Sequence, residues 1–151
     1  MIGRLLGIDH GIKRIGIAVS DALGITAREV AIIHRTTRED DFGKINQIAE
    51  QENVIGIVVG MPNSPNAHEG AHTQADTVRT WIERFRQTTS LPIIEWDEQL
   101  SSEDARELSK QQKRKPTDPI DDLAARIILQ NYINALSDGS TTLPPSMLDE
   151  S

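Results

Sequence analysis

The sequence predicts an α/β domain built on a mixed five-stranded sheet, three antiparallel strands first and parallel strands after, with helices on both faces. Three observations carry that prediction. Two β-branched runs open the chain back to back, apolar residues then recur at helical spacing, and from residue 54 strand-like and helix-like stretches alternate. A meander followed by such alternation folds as a mixed sheet, because parallel strands need crossovers that lay helices on its faces.

Arg4 to Asp9 reads as the first strand, His10, Gly11 and Ile12 as a turn, and Arg14 to Ser20 as the returning strand of a hairpin. A third strand falls within Thr26 to His34, where Val30, Ile32 and Ile33 supply the β-rich content. Phe42, Ile45, Ile48 and Ala49 switch to helical spacing. Val54 to Val59 is a continuous apolar run bounded by Gly60 and Pro62, as in a strand buried on both faces. A loop rich in Asn, Pro and Gly follows. From Glu69 to near Ser90 a helical stripe of about five turns includes Trp81 and Phe85, which read as core anchors. Pro92 to Trp96 gives the next strand, and Ser101 with Asp104 opens a shorter helix reaching about Lys110.

Gln111 to Thr117 is polar and basic and reads as a mobile loop that contributes little to folding. Asp118 and Pro119 supply an N-cap and a first-turn proline for a last helix, with Leu123, Ala124, Ile127, Ile128 and Asn131 along one face. Asp121 then falls at its third position. Residues 1–136 make the domain, and the tail 137–151, with Gly139, Pro144 and Pro145, is expected to be disordered.

At 151 residues and 37% hydrophobic content the chain can build one core. No apolar run is long enough to span a bilayer, and Met1 to Leu6 lacks the features of a signal peptide, which points to the cytoplasm and to no membrane partner. The absence of cysteine excludes disulfides, thiol catalysis and cysteine-ligated zinc. A metal must then be held by oxygen or imidazole ligands, which suits Mg²⁺ or Mn²⁺. The net charge of -7 argues against coating nucleic acid by bulk electrostatics. Local basic patches remain: Lys110, Lys113, Arg114 and Lys115, with Lys13 and Arg14 as a second.

Asp9 ends an apolar strand just before a glycine-containing turn, and Asp97 and Glu98 stand in the same place after the Pro92 to Trp96 strand. Carboxylates at two strand ends repel each other unless a cation lies between them. Asp121, in the first turn of the last helix, adds a third; its neighbour Asp122 faces another direction. Three such carboxylates can hold a metal pair about 4 Å apart that activates water and stabilises the leaving oxygen of a phosphodiester. By the same repulsion, Asp121→Asn is expected to leave the metal-free protein at least as stable as wild type.

The run Gly7-Ile8-Asp9-His10-Gly11-Ile12-Lys13-Arg14-Ile15-Gly16-Ile17-Ala18-Val19-Ser20-Asp21 resembles the N-terminal signature of the YqgF, or RuvX-like, family of the ribonuclease H-like superfamily. Three further blocks agree in order and spacing: Val58 to Pro62 leading to Glu69-Gly70, Asp97 to Ser102 with Glu103 and Ala105, and Asp121 to Leu129. The resemblance implies a ribonuclease H-like fold and metal-binding, catalytic carboxylates at Asp9, Glu98 and Asp121. Asp97 is the alternative to Glu98, since adjacent strand residues alternate in direction. The resemblance also matches Gly11, Arg14 and Gly16 to the turn and second strand, where Arg14 could meet phosphate. Some positions depart from the family pattern. His10 stands where a small, proline or aromatic residue is usual, Gln99 where an arginine is usual, and the loop Asn63 to His68 lacks the usual Asp-Gly pair. His10 and His68 are candidate contacts to phosphate or metal.

The function implied is a Mg²⁺- or Mn²⁺-dependent endonuclease acting on structured nucleic acid, with water as nucleophile and no covalent enzyme intermediate. Processing of the 5′ end of precursor 16S rRNA is the leading reading, and resolution of Holliday junctions in branched DNA the alternative. Lys13, Arg14, Lys113, Arg114 and Lys115 are the expected phosphate contacts, and the protein is expected to be a monomer or homodimer. A catalytically weak nucleic-acid-binding factor is a further reading, favoured by Gln99. A phosphate-binding enzyme of the actin and sugar-kinase type needs a larger two-lobed architecture than 151 residues provide.

Overall fold

The structure, a computed structural model, describes residues 3–62, 73–97 and 102–148. Strands β1 (Leu5–His10), β2 (Arg14–Ser20) and β3 (Ala27–His34) form the opening meander. Helix α1 (Arg38–Gln51), β4 (Gly56–Met61), α2 (Gln74–Arg86), β5 (Ile93–Asp97), α3 (Ser102–Gln111), α4 (Asp121–Asp138) and the short α5 (Pro145–Leu148) follow. The sheet order is β3-β2-β1-β4-β5. β2 is antiparallel to both neighbours, whereas β1 with β4 and β4 with β5 run parallel. The mixed sheet read from the sequence is therefore the one observed.

Strand alternation divides the core in two. Leu6 and Ile8 of β1, Ile15, Ile17 and Val19 of β2, and Ile57 and Val59 of β4 pack with Phe42 and Ile45 of α1 and with Val78, Trp81, Ile82 and Phe85 of α2. Leu5, Ala18 and Val58 face the other way, onto Ala125, Ile128, Leu129 and Tyr132 of α4. Trp81 is 4% exposed and Phe85 fully buried, the anchoring role their spacing predicted.

Helix α4 lies unusually close to the sheet because glycine meets it at the contact. A Cβ on Gly16 would fall 1.8 Å from the Asp121 carbonyl oxygen, so any side chain there would push the start of α4 away. A Cβ on Gly7 would fall 2.8 Å from the Leu129 Cβ, two turns further along the same helix.

Three expectations change at the C-terminal side. Helix α4 begins at Asp121, with Ile120 as an N-cap that makes no side-chain hydrogen bond. Asp118 does not cap it, because its carboxylate accepts from the Lys115 amide at 2.7 Å and closes the preceding turn. Asp121 is thus the first helical residue rather than the third. The segment Gln111 to Thr117 is not a loose loop: the Arg114 amide bonds the Ser109 carbonyl at 2.9 Å, and its guanidinium forks onto Asp122. The tail expected to be disordered begins inside α4, which ends on Gly139 in the left-handed conformation. Beyond it Leu143 and Met147 pack against the α4-side core.

The starts expected for α2 at Glu69 and for the capping Ser101 lie outside the described residues. Among the described residues no helix is long and apolar enough to cross a membrane.

Candidate active site

The hairpin turn and the start of α4 meet at the carboxyl end of β1, the rim at which ligands gather on open α/β sheets. A cleft of about 470 Å³ opens there, lined by Asp9 from β1, Arg14 from β2 and Asp121 from α4, with Arg106, Lys110 and Arg114 on its far wall. Odd positions of β1 face α4, so Asp9 turns to the same side as Gly7. Gly11 completes the approach: a Cβ there would lie 2.5 Å from the Arg14 carbonyl oxygen and 3.5 Å from Asp121 Oδ2.

Asp121 does not wait unpaired. Arg14 Nε donates to its Oδ1 at 2.8 Å, with the two side chains 37% and 17% exposed. Part of the counter-charge that a carboxylate cluster needs therefore comes from the protein itself. Asp122 turns into the protein, where Arg114 donates to both of its oxygens at 2.8 and 2.9 Å and also to the Pro119 carbonyl at 3.1 Å. The hydrogen bonds that Arg114 donates to Asp122 push the Arg114 pKa up. Arg114 lines the cleft, but its fork is spent on pinning the α3–α4 connection to α4.

Of the expected phosphate contacts, Arg14 and Arg114 line the cleft; Lys13, Lys113 and Lys115 are exposed and lie outside its lining. Asp97 is exposed at the end of β5 and borders a different groove with Trp96 and Asn131. It shares the parity of Glu95, which pairs with Arg79 of α2, whereas Trp96 packs on Tyr132 of α4. Glu98, Gln99 and His68 lie outside the described residues. His10 faces the opposite side of the sheet from Asp9, edge-on to Trp81 with ring centroids 4.8 Å apart. Its burial, and then the Arg35 charge, push its pKa down to about 4.

The sequence reading missed Arg106. Its signal was present, since Arg106 and Lys110 stand one helical turn apart and present one basic face.

Whether these residues suit a divalent metal can be judged on their chemistry. Asp9 and Asp121 bring only oxygen donors to the cleft, as a hard cation requires. Among the described residues no three His, Asp or Glu side chains group closely enough to hold a metal ion. The described part of the cleft thus fits such an ion with two carboxylates and needs at least one ligand more.

A mixed sheet of this order, with a carboxylate near the end of its central strand and another opening α4, has the ribonuclease H-like fold. Solved structures of that class superpose on the chain. Thermus thermophilus RuvC bound to a Holliday junction substrate matches with a TM-score of 0.58 at 13% identity, covering 90% of this chain and 96% of that one. The fowlpox virus Holliday junction resolvase matches at 0.53 and 14% identity, covering 88% and 99%.

The sequence is more specific than the fold. The family described as RuvX, Holliday junction resolvase, matches residues 3–135, and the chain belongs to that family. Relatives named "Putative pre-16S rRNA nuclease" include one from Symbiobacterium thermophilum, 38% identical over 87% of this chain and 92% of its own. Another, from Desulforamulus reducens, is 39% identical over 87% of this chain and 97% of its own.

Proposed function

We propose that the protein is a metal-dependent endonuclease that hydrolyses phosphodiester bonds of structured nucleic acid, with the 5′ end of precursor 16S rRNA as its substrate. The observation that carries this reading is the convergence of Asp9 and Asp121, 112 positions apart in the chain, on one cleft of a RuvX-family fold. The names of the relatives supply the choice of RNA.

Asp9, Asp121 and Glu98 would hold the metal, Mg²⁺ or Mn²⁺; Glu98 is preferred to Asp97 because Asp97 borders a separate groove. When bound, the metal supplies a water of lowered pKa and counter-charge for the leaving oxygen. Arg14 fixes the orientation of Asp121 by holding one of its oxygens. Arg106 and Lys110, exposed on the wall opposite, are placed to hold the phosphates on either side of the scissile bond. Arg114 holds that wall in position through Asp122.

The test incubates the pure protein with labelled precursor 16S rRNA and with four-way DNA junctions, each with Mn²⁺ and with chelator. Cleavage of the RNA that disappears with chelator is expected. The family description favours the junction as the rival substrate, and cleavage of the junction alone would replace the substrate. Cleavage of neither would remove the nuclease reading.

A further inference from the structure

On the face of β1 away from Asp9, a second cavity of about 300 Å³ opens between α1 and α2. Its rim carries Arg35 from the end of β3, Arg38 from the first turn of α1 and Arg84 from α2, with Thr80 beside them. His10 and Trp81 form its floor. In a chain of net charge -7, three guanidinium groups converge here and no carboxylate is among the described residues that line the cavity.

The lining is left unsatisfied in two ways. The side chains of Arg38 and Arg84 make no hydrogen bond or ion pair among the described residues. On the floor, His10 Nε2 and Trp81 Nε1 are buried without a hydrogen-bond partner among the described residues, although buried polar nitrogens in folded proteins almost always have one. Arg35 is held in place instead. Its Nε lies 3.7 Å from the buried Asp41, and its guanidinium donates to the Gly11 carbonyl at 2.8 Å. Arginines that pair with none of the described residues and are suited to planar, forked recognition match the oxygens of one tetrahedral anion.

We infer that this cavity binds a phosphoryl group through Arg35, Arg38 and Arg84. Two sources carry that chemistry: the backbone of a nucleic acid that also occupies the Asp9 cleft, or a small free phosphate. Through its bond to Gly11, Arg35 joins the cavity to the turn that follows Asp9, so an occupant here braces the edge of the cleft. The backbone source rests on the nucleic-acid reading above; the phosphoryl site itself does not.

The experiment measures binding in chelator, so that no cleavage occurs and a failure of the nuclease reading leaves the result interpretable. Inorganic phosphate and a short single-stranded RNA are each titrated into wild type and into the Arg38→Ala, Arg84→Ala double variant, the RNA at several salt concentrations. Both arginines are exposed and their side chains pair with none of the described residues, so the variant keeps its fold, which the melting temperature checks. Thr80→Glu is a second variant, placing a carboxylate one helical turn from Arg84 to occupy its guanidinium. If the backbone is the ligand, RNA binding weakens and the slope of log K against log salt falls by about 0.7, the value for one lost phosphate contact to a single strand. If the ligand is a small phosphate, phosphate binding is lost in both variants while RNA binding stays unchanged. Either result upholds the site. Unchanged binding of both ligands in both variants would overturn it.

Discussion

Asp9 and His10 are neighbours at the end of β1, yet the alternation of the strand delivers them to opposite faces of the sheet. On the α4 face, the Asp9 cleft mixes carboxylates with cations: Arg14 holds Asp121, and Arg106 and Lys110 stand across from them. On the α1–α2 face, the His10 cavity carries arginines and no described carboxylate. One strand end thus borders a cleft that mixes carboxylates with cations and a cavity rimmed by arginines. The difference shows how little the overall charge of -7 says about local electrostatics, since the acidic residues are spent elsewhere.

The largest expected effect strikes the α4 face alone. Gly16→Ala places a methyl group 1.8 Å from the Asp121 carbonyl oxygen, which only movement of the helix start can relieve. A loss of about 3 kcal/mol or more in chemical denaturation is expected, together with loss of metal binding. Wild-type stability would mean that the close approach of α4 does not position the cleft.

The opposite face gives a pH signature. The folded pKa of His10, about 4, lies below its unfolded value near 6.5. Between those values the unfolded chain binds more protons, so stability rises with pH across this window and is lost as pH falls from about 6.5 towards 4, by up to about 1.4 kcal/mol per pH unit. Denaturation midpoints measured across that range should flatten in His10→Leu. An unchanged profile would show that His10 is not the buried group responsible.

Next in size, Arg114→Ala leaves Asp122, 10% exposed, without its forked partner. A cost of about 2–3 kcal/mol is expected, while Lys113→Ala with Lys115→Ala changes stability by no more than about 0.5 kcal/mol. Equal effects from both would return the whole segment to a loose loop. Asp121→Asn in the absence of metal has a smaller effect than Arg114→Ala. The ion pair with Arg14 reverses the expectation drawn from repulsion alone, and a loss of about 1 kcal/mol should appear in the apo protein. The variant should also gain less from Mg²⁺, read as a smaller rise in melting temperature.

Periodicity was enough to read the sheet. β2 runs from Arg14 to Ser20 as predicted, and β1 differs by one residue, because apolar runs bounded by glycine and proline report local geometry directly. The start of α4 was misread because Asp118 is a good cap by residue type but is already bonded to the Lys115 amide. The role of Arg114 was hidden for a related reason, since a basic run looks solvated until Asp122, eight residues on, is folded against it. Asp9 and Asp121 could be named as candidates from strand-end and helix-start positions. Arg35, Arg38 and Arg84 could not, because they come from three elements and only packing of α2 against α1 and the sheet brings them together.

The central claim is that Asp9 and Asp121 belong to one divalent-metal site. Calorimetric titration of Mn²⁺ into wild type, Asp9→Asn and the cavity variant Arg38→Ala, Arg84→Ala tests it most directly, because it reads the metal without any substrate. Binding is expected in wild type and in the cavity variant, and severely weakened binding in Asp9→Asn. Equal Mn²⁺ affinity in Asp9→Asn and wild type would contradict the claim and remove Asp9 from the site.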